Sequence, residues 1–181
     1  YPELVVYSGG VPIFIETDES TEFKITAKQL KDKITPNTKI LMLNSPSNPT
    51  GSIYSKDELL AIGEVLKGTD IVVLSDEMYE KLIYKGKKFT ATAEVSEDMY
   101  NRTVTINGLS KSVAMTGWRF GYVACPNSAL AKAMSKLQGQ VTSNVNSMTQ
   151  YAAIVALEGY ANKDIEMMRV ELEKRKDDPV K

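Results

Sequence analysis

The chain has 181 residues, 43% of them hydrophobic and 25% charged, which is enough for one sizeable core beneath an ordinary surface. A formal net charge of -1 gives no basic field to hold nucleic acid or an anionic membrane, so neither is an expected partner. With no histidine, histidine triads and histidine-ligated zinc are excluded, and lysine, carboxylate or tyrosine must carry any acid-base work.

In chain order, Val11 to Glu16 reads as a strand, Thr26 to Ile34 as a helix and Lys39 to Asn44 as a strand. Ser55 to Leu66 follows as a helix and Ile71 to Ser75 as a strand. The second helix is announced by Ser55 and Glu58 at capping-box spacing, and Leu59, Leu60, Ile62, Val65 and Leu66 give it an apolar face. Strands separated by helices lie parallel under helical layers, so the class is α/β with a mostly parallel, mixed sheet in a three-layer α/β/α arrangement. Beyond Asp76 a short helix is expected over Glu77 to Leu82, then a turn over Tyr84 to Lys88 and strands at Thr103 to Asn107 and Phe120 to Cys125. The link between those strands, Gly108 to Gly117, is too short for a crossover helix, which makes an antiparallel pairing plausible there. Ala129 to Leu137, Ser147 to Glu158 and Asp164 to Lys176 have helix-forming composition.

Apolar runs such as Val11 to Ile15 are far shorter than the roughly 20 residues that span a bilayer. No charged start leads into an apolar signal region, and a cytoplasmic location is the expectation. The single cysteine, Cys125, ends an apolar run and reads as a buried small residue.

Four polar clusters sit where strands end: Ser45 to Gly51 (SPSNPTG), Ser75 to Tyr79 (SDEMY), Ser110-Lys111, and Gly117 to Gly121 (GWRFG). Ligands of open α/β sheets collect beyond the carboxyl ends of the strands, so the four clusters could line one crevice. Singly, each has a plain reading. Asn-Pro-Thr-Gly is a common turn sequence, Asp76 could cap a helix, and Lys111 could be a solvated loop residue. Together they supply a nucleophilic amine, a carboxylate, a phosphate-binding guanidinium and hydroxyl or amide donors. Trp118 fits stacking and packing about equally, Met115 and Tyr122 read as core or loop anchors, and Gly51, Gly117 and Gly121 as positions set by backbone geometry or close approach.

The motifs SPSNPTG, SDEMYE, NGLSKS and AMTGWRFGY, in this order and spacing, make the chain similar to the class I and II aminotransferases of the type I pyridoxal phosphate fold, and most closely to bacterial aspartate aminotransferases. The resemblance runs from Tyr1 to the C-terminal helices. It implies pyridoxal 5'-phosphate as cofactor and Lys111 as the Schiff-base lysine that moves a proton between substrate Cα and cofactor C4′. It implies Asp76 as partner of the ring nitrogen, Asn48 and Tyr79 as donors to the ring oxygen, and Ser110 and Arg119 as phosphate ligands. Asn48 would also touch the substrate carboxylate. Aspartate and 2-oxoglutarate are the expected amino acid and 2-oxo acid, and a homodimer the expected assembly.

Elements that the family carries outside these motifs have no counterpart here: a cofactor-stacking aromatic before YPE, a glycine-rich turn, a tyrosine crossing the dimer interface and a small domain with a carboxylate-binding arginine. Residues 1–160 are therefore expected to be the central part of the cofactor-binding large domain, truncated at both ends, and 161–181 a helix leading toward an absent small domain. Val11 to Glu16 would be an unprotected sheet edge, and the 181-residue chain alone a weak cofactor binder with little or no turnover. A carbon-sulfur β-lyase of the same fold is one alternative. A non-catalytic α/β binding domain is another, although neither GxGxxG nor a Walker-type glycine loop is present.

Overall fold

The computed structural model describes residues 1–178, so the end of the expected 161–181 segment lies outside the described residues. Four strands, β1 (Ile40–Asn44), β2 (Val72–Asp76), β3 (Thr103–Gly108) and β4 (Gly121–Ala124), form one sheet in that order. β1, β2 and β3 run parallel and β4 runs antiparallel to β3. The α/β class, the mostly parallel sheet and the antiparallel turn after Gly108 follow the sequence reading. Asn44 pairs with Asp76, Asp76 with Ile106 and Gly108 with Gly121, so the carboxyl ends of three strands and the loop before β4 share one end of the sheet.

The helix before β1 and the crossover from β1 to β2 form because their sequences start helices cleanly. α2 (Ala27–Lys33) opens on a reciprocal Thr26/Gln29 capping box and α3 (Lys56–Leu66) on the Ser55/Glu58 box. The Ser55 amide donates to Glu58 Oε2 at 2.7 Å and the Glu58 amide to Ser55 Oγ at 3.3 Å. The face so presented is fully inside: Leu59, Ile62 and Leu66 of α3 pack with Leu41, Leu43 and Val73 of the sheet. Met99 of the short α4 (Glu97–Arg102) and Leu30 of α2 close the same core. Each such side chain contributes about 1.5–3 kcal/mol of burial free energy. Further helices are α1 (Pro2–Tyr7), α5 (Ser128–Val141), α6 (Ser147–Leu157) and α7 (Asn162–Asp177). Among the described residues no helix is long and apolar enough to cross a membrane.

Three expectations fail. Val11 to Glu16 is not a strand, because no described strand lies beside it to complete a ladder; Val11 is 81% exposed, and the segment touches the core only through Ile15. Glu77 to Leu82 is a pair of turns and not a helix. Its Glu80-to-Glu77 and Leu82-to-Tyr79 backbone bonds skip three residues, while the Glu77 amide is held on the Ile106 carbonyl at 2.9 Å. Cys125 is half-buried, since it follows β4, whose four residues are all exposed. The expected turn at Tyr84 to Lys88 forms, with the Lys87 amide donating to the Tyr84 carbonyl at 3.1 Å.

Candidate active site

The loop after β1 puts Asn48 above the sheet end by two contacts. Its amide donates to Asn44 Oδ1 at 2.8 Å and its Nδ2 to the Tyr79 hydroxyl at 3.3 Å. Gly51, at φ +69°, supplies the left-handed residue this tight loop needs. Tyr79 reaches the loop because the turns after β2 fold back over the strand end. Lys111, in the loop after β3, places its ammonium 5.6 Å from the centre of the Tyr79 ring, within cation-π range. Asn48, Tyr79 and Lys111, although 31 and 32 positions apart in turn, thus form one continuous group.

Asp76 closes β2 beside them. Its Oδ1 accepts the Met78 amide at 3.2 Å and its Oδ2 accepts the Tyr1 hydroxyl. Partial burial pushes the Tyr1 phenol well above the ordinary tyrosine range, and the hydrogen bond to Asp76, the Asp76 charge and Tyr79 push the same way. Tyr1 therefore stays a proton donor to Asp76.

Ser110 and Arg119 belong to the loop between β3 and β4, and Thr116 ties them together. Its hydroxyl donates to the Ser110 carbonyl at 3.3 Å, and its own carbonyl accepts Arg119 Nη1 at 3.1 Å. Arg119 sits at φ +56°, a left-handed conformation that turns the chain into β4. The loop leaves the sheet so sharply because Gly108 has no side chain; a Cβ there would lie 2.7 Å from the Phe120 carbonyl oxygen. Met115 anchors the loop through its amide on the Leu109 carbonyl at 3.2 Å, whereas Gly117 shows neither positive φ nor close approach. Trp118 is 48% exposed and Tyr122 packs at 6.2 Å from Phe120.

Asn44, Thr116 and Tyr1 are the participants that the motifs did not single out. Asn44 stands immediately before SPSNPTG and Thr116 inside AMTGWRFGY, so proximity could have drawn attention to both. Tyr1 lies 75 positions from Asp76 and nothing in the local pattern points to it.

The electrostatics of this end are unusual. Among the described residues, the ion pairs engage neither the Asp76 carboxylate, nor the Lys111 ammonium, nor the Arg119 guanidinium with a side chain of opposite charge. A carboxylate, an amine and a guanidinium held without counter-ions at one strand end suit a ligand that brings complementary charges itself. Pyridoxal phosphate, with a basic ring nitrogen, an aldehyde and a phosphate, has that set.

The family model described as aminotransferase class I and II matches residues 1–179. The chain is 50% identical over 175 residues to an aspartate aminotransferase of Geobacillus stearothermophilus, covering 97% of this chain and 44% of that protein. It is 47% identical over 176 residues to an asparagine-oxo-acid transaminase of Streptococcus mutans, with 97% and 44% covered. In structure it matches an aromatic aminotransferase from Pyrococcus horikoshii with a TM-score of 0.93 and 38% identity, over 98% of this chain and 47% of that one. The chain thus spans less than half the length of these relatives, and its fold is that of the pyridoxal phosphate aminotransferases. The match along nearly its whole length means that the chain belongs to the class I and II aminotransferase family.

Proposed function

We propose that this chain carries the pyridoxal phosphate site of an aminotransferase that moves an amino group between an amino acid and a 2-oxo acid, with aspartate and 2-oxoglutarate as the favoured pair. The observation that carries the proposal is the convergence of Lys111, Asp76 and Arg119, each without a counter-ion among the described residues, at one end of a parallel sheet. Aspartate is favoured by the 50% identity to a relative named for it, and names such as asparagine-oxo-acid transaminase mark the range of neighbouring substrates. Within this reading, residues 1–160 are the central part of the cofactor-binding domain and 161–181 lead toward a small domain. The working enzyme is a cytoplasmic homodimer, as the resemblance implies.

When bound, pyridoxal phosphate supplies an aldehyde that condenses with amines and a ring that draws electrons from the substrate α-carbon. Asp76, oriented by the Tyr1 hydroxyl and the Met78 amide, would hold the proton of the ring nitrogen. Tyr79 and Asn48 would donate to the ring oxygen, and Ser110 and Arg119 would take the phosphate, the guanidinium offering two parallel N–H groups. The Lys111 amine would anchor the cofactor and would take the proton from the amino acid Cα and return it. In a chain without histidine, a lysine in this role is what the resemblance to the family implies.

Adding pyridoxal phosphate to the wild type and to Lys111→Ala tests the reading. The wild type should acquire a visible absorbance band that the variant lacks. In a longer protein containing this segment, the variant should lose ~10²–10⁴-fold in amino transfer. An equal band in both proteins would remove Lys111 from the chemistry. Product analysis separates the β-lyase: oxaloacetate from aspartate supports the transaminase, and pyruvate with ammonia from cystathionine supports the lyase.

A further inference from the structure

Of the two residues that close β1 and β2, Asn44 has no part in the chemistry above. Asn44 and Asp76 are register partners, so their side chains leave the same face of the sheet at its carboxyl end. The Asn44 carboxamide turns along the edge of the ladder. Its Oδ1 accepts the Asn48 amide at 2.8 Å, and its Nδ2 donates to the Asp76 backbone carbonyl at 3.2 Å. The same carbonyl also accepts the Ser45 amide at 3.1 Å. Which end of the carboxamide faces which partner is dictated by chemistry, since an amide needs an acceptor and a carbonyl needs a donor.

We propose that Asn44 is a positioning residue for the cofactor site, a two-ended clamp that fixes the loop bearing Asn48 against the backbone of Asp76. This rests on the function proposed above. The carboxamide suits the role because it carries an acceptor and a donor on one short rigid plane. Serine could not span both partners, and aspartate would present oxygen to both, meeting the Asp76 carbonyl with repulsion. Within itself the loop is held by the Gly51 amide on the Ser47 carbonyl at 2.8 Å and the Ser47 amide on the Ser52 carbonyl at 2.9 Å, and outward by the Ser45 amide on the Asp76 carbonyl, the Asn48 carboxamide on Tyr79 and the Ser52 hydroxyl on the Glu22 carbonyl. The internal bonds keep the loop's shape. The Asn44 carboxamide sets where that shape sits relative to β2, and therefore how Asn48 and Asp76 approach a shared ligand.

The clamp is testable in the cofactor-free 181-residue chain by amide hydrogen exchange and carbonyl carbon shifts. In Asn44→Ala, exchange of the Asn48 amide should accelerate on the order of tenfold, while the Ser47 and Gly51 amides hold their rates and the Asp76 carbonyl resonance moves. In Asn44→Asp, which keeps the acceptor, the Asn48 amide should stay protected while the Asp76 carbonyl resonance still moves; this variant decides the matter if the alanine variant does not fold. Unchanged Asn48 exchange in Asn44→Ala, a uniform rise at Ser47, Asn48 and Gly51, or an unmoved Asp76 carbonyl in both variants would overturn the clamp. Pyridoxal phosphate affinity should fall about tenfold in Asn44→Ala. A wild type that bound no cofactor would count against the proposed function, and the exchange and shift data would still decide the role of Asn44.

Discussion

Asp76 and Glu77 are adjacent carboxylates with opposite surroundings. Asp76 faces the cluster of Lys111, Tyr79 and Asn48, whereas Glu77 is 2% exposed and accepts the Ser75 hydroxyl and the Thr92 amide, each at 2.9 Å. Burial pushes the Glu77 carboxyl up, the charge of Glu80 adds to it, and the donors from Thr92 and Ser75 only partly offset the rise. The sign follows. A folded-state value above the unfolded one gives a contribution to stability that is complete below about pH 4.3 and is lost as pH rises through the folded value. Glu77→Gln should therefore gain stability relative to the wild type as pH is raised from 4 toward 7, read by thermal unfolding; a difference that stays flat with pH would contradict this. At Thr103 the buried hydroxyl has no partner among the described residues, so Thr103→Val should be neutral or stabilise by about 1 kcal/mol in denaturant unfolding. A loss of that size would show that the hydroxyl is satisfied after all.

At the level of elements, what the sequence made legible is what local chemistry determines. Ser55 and Glu58 announced α3, and Ser55→Ala should remove about 1 kcal/mol of stability in urea unfolding; no change would mean that the helix start is held by packing alone. The antiparallel β3/β4 pair was readable because Gly108 to Gly117 leaves no room for a crossover. Val11 to Glu16 was misread because alternation of apolar residues reports a face and says nothing about whether a neighbouring strand exists to pair with. The turns at Glu77 to Leu82 escaped because long-range bonds, the Glu77 amide on Ile106 and its carboxylate on Thr92, override a helix-compatible composition. The residues of the proposed site were singled out from the order of their motifs, and the structure brings Asn48, Tyr79 and Lys111 together. Asn44 and Tyr1 were not, since their roles exist only once β1, β2 and α1 are side by side.

For the whole molecule, a buried core coexists with much exposed apolar surface on the C-terminal helices. α5 buries no residue, Leu137 is 66% and Val141 69% exposed, and Tyr151 of α6 is 75% exposed. A surface of that kind drives association. The 181-residue chain should self-associate with rising concentration in sedimentation velocity, and Leu137→Glu with Tyr151→Glu should weaken this; a chain that remains monomeric at high concentration would contradict it. The central claim concerns a single amine. Incubating the chain with pyridoxal phosphate, reducing with borohydride and sequencing the digest by mass spectrometry should place the pyridoxyl label on Lys111. A label on other lysines with Lys111 unmodified would contradict the account.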